Sequence, residues 1–142
     1  MPSEAGARTT EHAVRSPEEL VRLAYQAFLR NDADTLRAYC HGSIEVQPVD
    51  ALGLVGDTLN GFDAARDWMA RCNKRGLNVK IWLRTLEEAS CGRVLGVGVV
   101  SEKGRGCAAT VAWIWHVRDD LIDWVRGYPN EAAARRALSD HA

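Results

Sequence analysis

The sequence predicts an α+β domain whose helices gather on one face of an antiparallel or mixed sheet. Three observations carry that expectation. Apolar residues recur at helical spacing through much of the first half of the chain. From Leu77 onward they alternate with polar ones, as strands require. No internal repeat or linker divides the 142 residues.

Residues 1 to 15 are polar and without periodicity, which reads as a flexible tail, leaving 16–139 as one domain. Ser16-Pro17-Glu18-Glu19 is a helix start. Serine caps the first N–H groups, proline suits the first helical position, and Glu19 completes a capping box. Leu20, Ala24, Ala27 and Phe28 then follow at helical spacing, with Val21 and Tyr25 beside them. Asn31-Asp32 breaks that helix. A second, about Ala33 to Cys40, is ended by His41-Gly42. Ile44 to Gln47 alternates as a half-buried strand does. Pro48 to Asn60 is a loop long enough to be a pocket lid. A third helix, about Phe62 to Lys74, carries Phe62, Ala65, Trp68, Met69 and Cys72 on one side and stops at Gly76.

The remainder reads as sheet. Leu77, Val79, Ile81 and Leu83 share one face of a strand that turns at Ser90-Cys91-Gly92. Arg93 to Ser101 is a glycine-rich strand, and Glu102 to Gly106 a turn. Ala108 to Arg118 is the longest strand; a tight turn at Arg118-Asp119-Asp120 returns it as Leu121 to Tyr128. Asn130 can cap a last helix ending near Leu138.

Composition excludes several function classes. A hydrophobic fraction of 46%, a charged fraction of 26% and a net charge of −1 suit a globular protein, with no charge excess to hold nucleic acid or an anionic membrane surface. No apolar run approaches the roughly 20 residues that span a bilayer. The first residues lack the apolar core of a secretory signal, so a cytoplasmic location is expected. Cys40, Cys72, Cys91 and Cys107 form no C-x-x-C pair, and neither H-x-H nor H-E-x-x-H occurs, so free thiols and no metal or other cofactor are expected.

The order of elements over residues 17 to 138 resembles the SnoaL-like branch of the NTF2-like α+β cone fold. The matching residues are Asn31-Asp32 between two helices, Gly61-Phe62-Asp63 opening the third, Gly104-Arg105-Gly106 before the long strand, and Arg126-x-Tyr128 closing the last. The resemblance implies a curved sheet wrapped around N-terminal helices and enclosing one apolar pocket. It also implies which strand face looks inward: Val111, Trp113, Trp115 and Val117 on the long strand, Asp123, Val125 and Gly127 on the last, Ile44, Val46 and Pro48 on the first, and Val79, Ile81 and Leu83. With Trp68 and Tyr25 from the helices, Trp113, Trp115, Val111, Val46, Ile44 and Val125 would bind a small apolar, possibly polycyclic, organic molecule. Equally, these side chains could simply fill the core.

Asp123 is the sharpest candidate for chemistry. An aspartate is disfavoured in mid-strand, and in an apolar pocket it would serve as general acid or base; at a solvated strand edge it would do neither. His41 could reach the cavity mouth as a second acid–base group, or face solvent after the helix. Tyr25 could hydrogen-bond a substrate oxygen. The pairing of Asp123 with His41 would mimic SnoaL-type polyketide cyclases. Other constellations of the superfamily are missing. Gly96 to Val100 has no Arg-x-Asp, and Gly127 occupies the place of the last-strand aspartate of limonene-epoxide hydrolases. No Tyr and Asp pair matches ketosteroid isomerases.

Three functions remain open: a cofactor-independent, metal-free cyclase, isomerase, dehydratase or hydrolase; a non-catalytic binding protein; or an association module with a vestigial pocket. The opposite sheet face would expose Trp82, Leu86, Ile114, Trp124 and Tyr128 with Lys80, Arg84 and Arg126. So apolar a face predicts a homodimer through it.

Overall fold

A computed structural model describes residues 15–74, 79–102 and 106–140. The expected tail up to residue 14, the stop at Gly76, the start of a strand at Leu77 and the Gly104-Arg105 motif lie outside them. Helix α1 runs Pro17–Leu29, α2 Ala33–Ala38, α3 Phe62–Lys74 and α4 Glu131–Asp140. The strands are β1 Cys40–Gln47, β2 Leu59–Asn60, β3 Val79–Glu88, β4 Arg93–Glu102, β5 Cys107–Arg118 and β6 Leu121–Tyr128. They form one open, curved, mixed sheet in the order β2-β1-β6-β5-β4-β3, in which β1 and β6 run parallel and every other pair antiparallel.

Local chemistry sets the helix ends. Ser16 Oγ accepts from the Glu19 N–H at 3.1 Å, with Pro17 in the first turn. Asp32 caps α2, accepting from the Thr35 N–H and hydroxyl, and those two bonds hold its carboxyl below the usual carboxylate range. Asn130 caps α4 by accepting from Ala133 N–H at 2.8 Å. Asp119 and Asp120 both have positive φ, as a two-residue hairpin with the sheet's own twist demands. The chain after α2 departs from expectation. The helix ends at Ala38, and Cys40, His41 and Gly42 already belong to β1, because Ile122 N–H donates to Tyr39 O and Cys40 pairs with Ile122.

Bulges reset the alternation in two strands. Between Leu83 and Thr85 the extra residue is Arg84, and between Trp124 and Ile122 it is Asp123. Leu86 therefore joins the inner cluster around Leu20, Val21 and Val94 instead of the outer face. The inner face also holds Val49, Ala51, Val100, Val111 and Trp113. On the outer face Leu95, Ala112 and Ile114 pack under Ala134 of α4, with Trp124, Tyr128, Ala137 and Leu138 around them. Ile114 is only 2% exposed, so much of the face expected to be bare is covered by the chain's own last helix; Trp82, 51% exposed, is not.

Candidate functional site

Helices α1 and α3, strand β1 and the concave face of the sheet enclose a cavity of about 140 Å³. The helices contribute Ala24, Tyr25, Phe28, Leu36, Phe62, Ala65, Trp68 and Met69. The sheet contributes Cys40, Ile44, Val46, Ile81, Trp113, Trp115, Ile122 and Val125, and Gln47, Pro48 and Val49 close one end. Trp113 and Trp115 lie 6.0 Å apart at 39°.

Glycines make room for this lining. A Cβ on Gly96 would lie 2.5 Å from the Trp115 ring, so the indole rests on bare backbone. A Cβ on Gly98 would lie 2.0 Å from Trp82 O, where the β3 bulge presses on β4. A Cβ on Gly127 would lie 2.8 Å from Val49, so the loop after β1 packs directly on β6. Gly127, expected on the inward face and in the place of an acid, serves this close approach.

The polar groups at the cavity are few and mostly engaged. Tyr25 Oη donates to Ile81 O at 2.8 Å and accepts from Leu83 N–H at 3.1 Å, so the hydroxyl spans the residues just before the β3 bulge. Gln47 Nε2 donates to Gly56 O at 3.3 Å. Burial pushes the Cys40 thiol up to about 12, which leaves it a neutral, weakly polar wall near neutral pH.

Of the residues singled out from sequence, Tyr25, Trp68, Trp113, Trp115, Ile44, Val46 and Val125 line the cavity. Val111 is fully buried in the adjoining cluster and does not line it. Asp123 does not face the cavity as expected. As the bulge residue it turns to the outer face, where it accepts from His116 Nδ1 at 2.5 Å and Arg118 Nε at 3.1 Å. His41 also lies apart, its Nε2 bonded to the Arg118 carbonyl oxygen at 2.9 Å. The bulge brings Ile122 inward in place of Asp123. An aspartate between two large apolar residues was the one sequence signal of that reversal. Phe28 and Leu36 were also missed as wall residues, though both sit on apolar helix faces. Among the described residues no cluster of side chains could hold a metal ion.

Solved structures with this architecture include NTF2-like proteins, and the fold of this chain is the NTF2-like one. An NTF2-like protein from Burkholderia thailandensis superposes with a TM-score of 0.67 at 23% identity, over 81% of this chain and 91% of that one. TerC, co-crystallised with polyporic acid, superposes with 0.63 at 21% identity, over 87% and 99%. A protein from Pseudomonas putida provisionally assigned as a polyketide cyclase gives 0.61 at 16% identity, over 81% and 92%. No protein-family model matches the sequence, and no curated protein matches it.

Proposed function

We propose that the protein binds a small apolar molecule, of about the size of one aromatic ring, in the tryptophan-lined cavity, and that it does so without acid–base catalysis. The observation that carries this reading is the lining itself: three indoles, two phenylalanines and aliphatic side chains, with the Tyr25 hydroxyl already committed to β3. The volume fits it. An apolar cavity of about 150 Å³ stays dry and admits benzene, whereas a polycyclic ligand would need the rings to move apart. The ligand seen with TerC, a protein of the same fold, supports small-molecule binding in such folds. Asp123 and His41, the acid–base candidates, are engaged outside the cavity.

Titration of tryptophan fluorescence with toluene, benzaldehyde, an epoxide such as styrene oxide, and naphthalene tests the proposal. Saturable quenching by single-ring compounds is expected. It should vanish in Ala65→Leu, which fills the cavity from α3, while that variant keeps its thermal transition. Quenching by naphthalene alone, or by no compound, would overturn the size and nature of the ligand.

A second copy of the chain is the partner we propose for what remains of the outer face. Trp82 stands exposed there beside half-buried Val97 and Val99. Sedimentation should show a dimer at micromolar concentration that Trp82→Glu dissociates; a stable wild-type monomer would sink the idea.

A further inference from the structure

On the convex side of the sheet, under the edge of α4, lies a second cavity of about 340 Å³ whose chemistry is the opposite of the first. Its polar lining is Arg93, Arg126 and His116, with Cys91 at the rim. Ile114, Tyr128 and Ala137 supply an apolar wall, and among the described residues no carboxylate lines it.

Arg93 is the informative residue. It is 5% exposed. Its Nε donates to Ser90 O at 3.1 Å, one terminal nitrogen to Leu138 O at 3.3 Å and the other to Ser90 Oγ at 3.2 Å. All three partners are neutral, and among the described residues no carboxylate pairs with Arg93. The α4 carbonyl places partial negative charge near the guanidinium, but a helix terminus offsets only part of a full charge. A buried guanidinium without a counter-ion is costly, and two of its five N–H donors are left over. Arg126, on the same cavity, lacks a carboxylate partner among the described residues as well. Its guanidinium lies over the Trp124 ring at 4.4 Å, which fixes its position while leaving its edge free to donate. Trp124 also stacks on His116, with centroids 5.3 Å apart and planes 10° from parallel. Asp123 holds His116 from Nδ1, and no bond of its Nε2 to a described residue is present.

We propose that this outer cavity is a binding site for a small organic anion. A carboxylate or phosphate group would sit on the Arg93 and Arg126 guanidinium groups within reach of His116, and a short apolar body would lie against Ile114, Tyr128 and Ala137. The anion supplies a counter-charge that no described residue gives Arg93, and the remaining arginine N–H donors can pair with two oxygens of a carboxylate or phosphate. Asp123, set outward by the bulge, becomes a positioning residue that orients His116 and anchors Arg118. The site is independent of the apolar cavity on the other face.

The test is titration of the full-length protein with benzoate, inorganic phosphate and the neutral isostere benzamide at constant ionic strength. The Trp124 indole and arginine Nε–H resonances are followed, together with the alkylation rate of Cys91. Cys91 is exposed at the rim, and peptide mass mapping reads its alkylation separately from that of the other three cysteines, so the rate reports on this site. Benzoate or phosphate should shift the Trp124 signal saturably and slow Cys91 alkylation, benzamide should do neither, and Arg126→Gln should weaken the anion about tenfold or more. Preference for benzoate would assign a carboxylate ligand, and preference for phosphate a phosphorylated one. Arg93→Met is the stronger substitution but is buried; exposed Arg126 keeps the experiment decisive if that variant fails to fold. Equal binding of benzamide, unchanged affinity in Arg126→Gln, or no response to either anion up to about 20 mM would overturn the site.

Discussion

On the concave face of the sheet, Gly96, Gly98 and Gly127 bring no side chains, and a tryptophan ring, a bulged strand and a loop lie directly on the backbone. On the convex face, β4, β5 and β6 carry Leu95, Ile114, Trp124 and two arginines, and a separate helix packs over Leu95 and Ile114. The concave side thus gains a cavity because the strands are thin there and the helices are held off by large rings. The convex side gains one because α4 is short and leaves the ends of β4, β5 and β6 under its rim. One gap is apolar and the other cationic, so ligands of opposite character suit the two faces of one sheet.

Removing the thinness of the concave face should have the largest effect. In Gly98→Val the new Cβ would meet Trp82 O at 2.0 Å, and backbone rather than a flexible side chain must move. A loss of about 3 kcal/mol or more in urea unfolding is expected. Gly42→Ala is the control: nothing lies within 4 Å of its Cβ, and the change should stay within about 0.5 kcal/mol. Equal stabilities for the two variants would mean that the close approach of β3 to β4 is not what shapes this face.

Tyr25→Phe is next. It leaves Ile81 O and Leu83 N–H, both next to the β3 bulge, without their partner, and should cost about 1–2 kcal/mol. Because the hydroxyl is already committed, apolar ligand affinity should change little. A large loss of affinity with unchanged stability would instead make Tyr25 a ligand contact.

Asp123→Asn sharpens the contrast between the faces. The half-buried carboxylate holds His116 and Arg118, so a loss of about 1 kcal/mol in stability is expected, discounted for the exposure of Arg118. Binding in the apolar cavity should stay within about twofold. Loss of that binding, measured by the same fluorescence titration, would return Asp123 to the cavity.

The sequence displayed the order of elements because capping residues, helical spacing and strand alternation are local signals. Ser16-Pro17, Asn130 and the Asp119-Asp120 turn all lie where those signals put them. Most of the apolar lining was legible for the same reason. What was not legible depends on register. A bulge is a property of a strand pair, so Arg84 and Asp123 are not recognisable as bulge residues until β4 and β5 are laid beside them. One extra residue in β3 moved Leu86 inward and one in β6 moved Asp123 outward, and with Asp123 went the expected acid–base pair. The cationic outer cavity was hidden for a different reason. Arg93, Arg126 and His116 are separated along the chain, and only the cover provided by α4 turns a charged strand face into a pocket.

The smallest expected effect concerns that cover. Arg135 of α4 donates to both Glu87 oxygens on β3 and to Glu131 in its own helix. The hydrogen bond and charge of Arg135 hold the Glu87 carboxyl below its usual value of 4.5, and those same bonds raise Arg135. A carboxylate whose pKa is lower in the folded state than in the unfolded one stabilises the fold above its unfolded value, and that contribution is lost as pH falls through the folded value. Fastening of α4 to β3 should therefore be intact near neutrality and weaken below about pH 4.5. All three groups are solvated, so the change is small and salt-sensitive. Amide exchange along α4 reads it directly. Protection in α4 should fall on acidification more than protection in α1, and Glu87→Gln should abolish that difference. An equal fall in both helices would mean that α4 is held by Ala134 and its apolar neighbours alone. Acid would then leave the roof of the cationic cavity in place until the whole chain unfolds.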